Sequence, residues 1–149
     1  MNMESLRRVD RQILIRAPRS RVWRAITTID EFAKWFGVKA EGDFVAGSRV
    51  RMRHPEFQAD FFVDVVSLEP ERRFVWRWQV AGFPNELGQE PSTEVVFELE
   101  EVEGGTLVKV AESGFDQISL QRRAKSFEDN DKGWEAQLQS DRKYVEGAN

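Results

Sequence analysis

From residue 38 to residue 115 the apolar side chains recur almost everywhere at a period of two. That is the spacing of a pleated strand with one face buried. Runs at 38–44, 48–54, 57–68, 74–80, 93–101 and 106–115 read as strands, and Ala46-Gly47, Pro55-Glu56, Glu69-Pro70 and Glu103-Gly104-Gly105 punctuate them. Links of this kind are hairpin turns. A parallel pair needs a crossover of about a dozen residues or more, so neighbouring runs must pair antiparallel. Residues 82–91 carry Gly82, Pro84, Asn85, Gly88 and Pro91 and predict an irregular loop.

The flanks add one strand and three helices. Residues 9–16 alternate, with Val9, Arg11, Ile13 and Ile15 on one side, and Ala17-Pro18 ends the run. A helix then starts at Pro18 to Ser20 and presents Val22, Ala25 and Ile26 on one face, with Trp23 beside them. A second short helix covers 30–36, with Asp30 as its N-cap and Gly37 as its stop. From 119 to 145 the period is helical again, and Leu120, Ala124, Phe127, Trp134, Leu138 and Val145 fall near one stripe. Gly133 costs about 1 kcal/mol there relative to alanine, which predicts a kink or a restart capped by Asp129. The expected class is therefore α+β: a curved seven-stranded antiparallel sheet around a long C-terminal helix, with two short helices after the first strand. Only that last helix is long enough to cover the apolar face of such a sheet, and an apolar cavity is expected between the two.

The 149 residues suit a single domain, 1–149, and no linker or repeat divides them. Five Trp and eleven Phe against one Tyr supply much apolar area for core or cavity lining. A net charge of −4 disfavours nucleic acid as a partner, and the basic run through Arg7, Arg8, Arg11, Arg16, Arg19, Arg21 and Arg24 reads as a solvated strand and helix face. With no Cys and only His54 as an imidazole, neither a thiolate nor a His-rich metal site is expected, and no cofactor is. No apolar stretch approaches a membrane span or a signal core, so a cytoplasmic protein is the simplest expectation.

Ala17-Pro18, Val22-Trp23, Ile26, Trp35-Phe36-Gly37, the aromatic run 74–78, Glu112-Ser113-Gly114-Phe115, and Gly133-Trp134 followed by Leu138 occur in a telling order. Their spacing resembles the START-like, or SRPBCC, superfamily with its helix-grip fold. Within it the chain is most similar to bacterial homologues of the activator of heat-shock-protein-90 ATPase. The resemblance spans residues 9–145. It implies a fold shared by proteins that bind lipids, sterols, polyketides and plant hormones, and by a few cyclases, dehydratases and hydroxylase components. The eukaryotic co-chaperone activators carry an additional N-terminal domain that these residues do not contain.

Alternation places candidate side chains on the sheet's inner face. Phe74, Trp76 and Trp78 share one face, as do Val50, Met52 and His54, with Arg49, Arg51 and Arg53 opposite. Val108, Val110 and Glu112 form another row, so Glu112 points toward the cavity if the valines point inward. The expected ligand-binding set adds Trp35, Phe62 and Phe97 to Met52, His54, Trp76, Trp78, Val110 and Glu112. The long helix contributes Asp131, Trp134 and Leu138. Asp131 either lines the cavity or faces water from an irregular segment at 130–133. Imidazole is the side-chain type suited to acid–base work near neutral pH and His54 is the chain's single one, while Glu112 is a buried-acid candidate, so these two are the catalytic candidates. Three functions follow: binding of a small hydrophobic or amphipathic molecule, activation of a chaperone ATPase, or cyclase- or hydrolase-type catalysis by His54 and Glu112. Binding is preferred because it needs only shape and apolar area. The molecule is expected as a monomer or homodimer.

Overall fold

Each alternating run becomes a strand and each helical run a helix. The computed structural model describes residues 8–56, 59–79, 87–88 and 90–147. In chain order they form β1 (Arg8–Ile15), α1 (Arg19–Thr27), α2 (Ile29–Phe36), β2 (Lys39–Glu41), β3 (Arg49–His54), β4 (Ala59–Glu69), β5 (Arg73–Trp78), β6 (Thr93–Val102), β7 (Gly105–Ser113), a 3₁₀ turn (Phe115–Gln117) and α3 (Leu120–Gly147). The expected strand start at Phe57, the strand end at Val80 and most of the 82–91 loop lie outside the described residues. No described helix is long and apolar enough to cross a membrane.

The seven strands form one sheet in the order β1-β7-β6-β5-β4-β3-β2, antiparallel throughout. Hairpins account for neighbours from β2 to β7. The exception is β1, which pairs with β7, so α1 and α2 carry the chain from one edge of the sheet to the other. The β6–β7 turn lies against the end of β1. At Gly105, with φ of 152°, an added Cβ would run into the Ile15 carbonyl, so glycine alone permits that approach. A bulge between Val65 and Ser67 bends β4, the 11-residue strand, and turns Val66 outward at 47% exposure.

Direct pairing settles which residues share a face. Met52 pairs with Phe61 and Val50 with Val63, all inward, which leaves Phe62 opposite Arg51 on the outer face. Phe62 is thus not a cavity residue: it is 44% exposed, with the Arg49 guanidinium 5.3 Å from its ring centre. Arg49, Arg51 and Arg53 do lie outward, ion-paired with Asp64 and Asp60 of β4.

Helix ends depart from expectation in instructive ways. The N-cap of α2 is Thr28, and Asp30 sits with Glu31 in the first turn, where negative charge favours the helix N-terminus. Gly37 does end α2, at φ of 80°. No restart occurs at Gly133: α3 is one helix of 28 residues, and Asp129 lies inside it. Its buried stripe is Trp134, Leu138, Asp141 and Val145, whereas Leu120 is 67% exposed and Ala124 also faces water. Phe127 packs on Phe115 of the 3₁₀ turn, ring centres 5.4 Å apart.

Beneath α3 the expected cavity is largely filled by rings. Trp76, fully buried, has the ring centres of Phe97, Trp78, Phe74, Phe32 and Trp134 between 5.2 and 6.1 Å away. Most of these contacts are edge-to-face or tilted, the arrangement that opposed ring quadrupoles favour.

Candidate functional site

At one end of the ring cluster the inward row of β7 finishes on a carboxylate. Thr106, Val108, Val110 and Glu112 alternate inward, and all four are buried. Burying an acid here requires donors for its oxygens. Glu112 Oε1 accepts from the indole Nε1 of Trp134 at 2.8 Å and from Asn130 Nδ2 at 2.9 Å. Its Oε2 accepts from the indole Nε1 of Trp78 at 2.8 Å and from the Thr93 hydroxyl at 2.5 Å. Thr93 reaches it diagonally, because Glu112 pairs with Val95, two residues along β6. Asn130 and Trp134 reach it together because they stand four apart on one face of α3. One side chain therefore ties β5, β6 and β7 to the helix.

Beside this knot is a cleft of about 130 Å³, walled by the rings of Phe36, Trp78 and Trp134. Asp129, Asn130, Gly133 and Gln137 of α3 form its other side. Trp78 and Trp134 stack with ring centres 5.9 Å apart, and Phe36 lies 6.3 and 6.1 Å from them. Gly133 keeps the helix side open, since an added Cβ would meet nothing within 4 Å. Gln137 donates from Nε2 to the Phe36 carbonyl at 3.0 Å and so pins α2 across the cleft. A larger depression of 310 Å³ over β3 and β4 is lined by Arg49, Asp60 and Asp64, whose charges already pair with one another and with Arg51 and Arg53.

The sequence candidates separate accordingly. Trp78, Glu112 and Trp134 meet at the cleft. Trp35, Met52, Trp76, Phe97, Val110 and Leu138 are at most 3% exposed and form core, with the Trp35 indole donating to the Ala25 carbonyl at 2.8 Å. Asp131 neither lines a cavity nor lacks a partner: it accepts Arg11 Nε and Nη2 at 2.7 and 2.9 Å, a bidentate clamp from β1 to α3. This contact raises the Arg11 pKa further, chiefly through the Asp131 hydrogen bond. His54 ends β3, with three strands between it and β7, and among the described residues the four bonds to Glu112 come from other side chains. The two catalytic candidates thus do not form a pair. Among the described residues no cluster of three His, Cys, Asp or Glu is set to hold a metal.

Thr93, Asn130, Phe36, Gly133 and Gln137 were not among the site residues expected from the sequence. Asn130, Gly133, Trp134 and Gln137 at helical spacing were a readable pattern, hidden by the expectation of a break at Gly133.

A second buried acid lies further along α3. Asp141 is fully buried, and among the described residues neither of its oxygens has a hydrogen-bond partner. Burial pushes its pKa up to about 7, against the pull of Arg21. Arg21 on α1 is committed elsewhere, in an ion pair with Glu31 at 2.8 Å. Glu31 also accepts the Tyr144 hydroxyl at 2.9 Å and pairs with Arg24 at 3.2 Å.

The family described as activator of Hsp90 ATPase homolog 1-like protein matches residues 16–146. No curated protein matches the chain. Among solved structures, a protein from Mesorhizobium loti superposes with a TM-score of 0.81 at 19% identity, covering 96% of this chain and 99% of that one. The Aha1 dimer from Colwellia psychrerythraea gives 0.72 at 25% identity, covering 93% and 95%. CalU16 from Micromonospora echinospora gives 0.66 at 24% identity, covering 93% and 74%. The likeness to the Mesorhizobium and Micromonospora proteins speaks for the fold.

Proposed function

The chain belongs to the family of activator of Hsp90 ATPase homolog 1-like proteins, and from that membership we propose that it binds a ring-sized group of a small amphipathic molecule in the cleft beside Trp78 and Trp134. The cleft itself carries this reading: 130 Å³ of space walled by three aromatic rings and left open at Gly133. An apolar cavity of roughly 150 Å³ suffices for benzene, whereas drug-sized ligands occupy roughly 300–1,000 Å³. A sterol or a lipid tail is therefore too large for the cleft, and a single ring or a compact head group fits. The rigid polar end supplied by Glu112 and Asn130 holds both indoles in place without any ligand.

The test is a fragment screen read by the indole N–H resonances of Trp78 and Trp134. Ring-sized fragments are expected to shift both signals in the native chain and neither in Gly133→Leu, whose side chain would occupy the space. A screen in which no fragment moves either resonance removes the proposal.

A second reading draws on the family description and on the Colwellia dimer. It has the chain acting as a homodimer on a chaperone ATPase through its outer surface. Stimulation of a bacterial chaperone's ATP hydrolysis, with light scattering for the dimer mass, supports it. An unchanged hydrolysis rate at saturating protein rejects it.

A further inference from the structure

The polar groups around the cleft are unusually one-sided. Asn130 gives its amide N–H to Glu112 and Gln137 gives its own to the Phe36 carbonyl. In both cases the partner is an acceptor, so the amide orientation is forced and the carbonyl oxygen is the end left over. Among the described residues neither oxygen has a hydrogen-bond donor, and both residues line the cleft. The third polar side chain there is the Asp129 carboxylate. Among the described residues its one ion pair is with Lys125 at 3.3 Å, and the two side chains are 59% and 81% exposed, so water screens that pair heavily.

The other side chains lining the cleft are the three aromatic rings, and ring faces carry negative potential. Two of the three are indoles that donate their N–H to the same buried carboxylate. A hydrogen bond to an anion polarises the donor, and the electron density it pushes into the ring strengthens attraction for a cation over the face. Carbonyl oxygens, a carboxylate and polarised rings all favour the same visitor: positively charged, donor-bearing and compact.

We infer that the cleft selects a small organic cation, an ammonium group carried on or next to a single ring, over a neutral molecule of the same shape. This rests on the small-molecule reading of the same cleft and adds the charge of the ligand to it. The ammonium is placed toward Asp129 and the two free amide carbonyls, with the apolar part against Trp78 and Phe36.

Benzylammonium and benzyl alcohol form a matched pair of probes, titrated into the native chain while the Trp78 and Trp134 indole resonances are followed. Benzylammonium is expected to bind about tenfold more tightly than the alcohol, the size of one partly desolvated cation–π contact. Asp129→Asn is expected to shrink that preference at least threefold. Glu128→Gln, which removes an equal charge from a neighbouring helical position paired with Lys132, is expected to leave it intact and so controls for general attraction to an acidic protein. Equal binding of the two probes, or tighter binding of the alcohol, overturns the charge selection while leaving the small-molecule reading standing. Loss of the preference in Glu128→Gln to the same extent as in Asp129→Asn overturns it as well. Silence of both resonances with both probes overturns the two readings together.

Discussion

Replacing Asp141 by Asn should stabilise the protein, and by an amount that depends on pH. The carboxyl has an ordinary pKa of 3.8 and a folded value of about 7, because burial disfavours the charged form and no donor compensates. Below pH 3.8 both folded and unfolded chains hold the proton, and Asp141 costs nothing through ionisation. Between 3.8 and 7 the unfolded chain releases the proton while the folded chain keeps it, so stability falls as pH rises. Above 7 both are ionised and the whole cost is present. A separation of about three pKa units at roughly 1.4 kcal/mol each amounts to about 4 kcal/mol. Asn carries no charge at any of these pH values. Its gain over the native residue should therefore grow by roughly 1.4 kcal/mol per pH unit from pH 4 and level off above 7. At pH 8 that corresponds to a rise in Tm of roughly 8–16 °C for a chain of this size. Urea unfolding of both proteins at unit steps from pH 5 to 8 measures it, and the difference between the two curves isolates Asp141 from Arg21, Glu31 and Tyr144. A difference that stays flat with pH refutes the reasoning, since it would mean that the ionised carboxylate finds a partner in the folded state.

Three further outcomes follow from the same geometry. Glu112→Gln places an amide N–H₂ against indole, hydroxyl and amide donors, and should cost roughly 3–5 kcal/mol in urea unfolding, as breaking a buried charged network does. Gly133→Ala fills open space in mid-helix and should stabilise by about 1 kcal/mol, seen as a higher thermal midpoint. Phe61→Ala should destabilise by about 2 kcal/mol or more because Phe61 packs on the core, while Phe62→Ala on the outer face should cost under about 1 kcal/mol; equal effects in unfolding experiments would overturn the strand parity.

Much of the site was legible because strand alternation is a strict code. The rows Phe74-Trp76-Trp78 and Val108-Val110-Glu112 face inward as their spacing requires. Phe61 and Phe62 show its limit: two adjacent phenylalanines satisfy either parity, and only the pairing with Met52 and Val50 of β3 chooses between them. On α3 the apolar count misled in both directions. Leu120 and Ala124 look like core and are exposed, whereas Asp141 looks like surface and is buried. Helical spacing of 134, 138, 141 and 145 marks Asp141 as inward, but its chemistry argues against that position.

The elements, their antiparallel pairing and the need for α3 to cover the sheet are written in the linear order of the residues. These follow from periodicity and link length, which are properties of neighbours along the chain. Packing in three dimensions was needed to establish that the rings fill most of the expected cavity, that Asp131 clamps Arg11, and that His54 stays apart from Glu112. It also gathered Trp78, Thr93, Asn130 and Trp134 around one carboxylate. Those outcomes depend on how residues from β5, β6, β7 and α3 converge in space. No local pattern encodes that convergence, because each donor is placed by the packing of a different element.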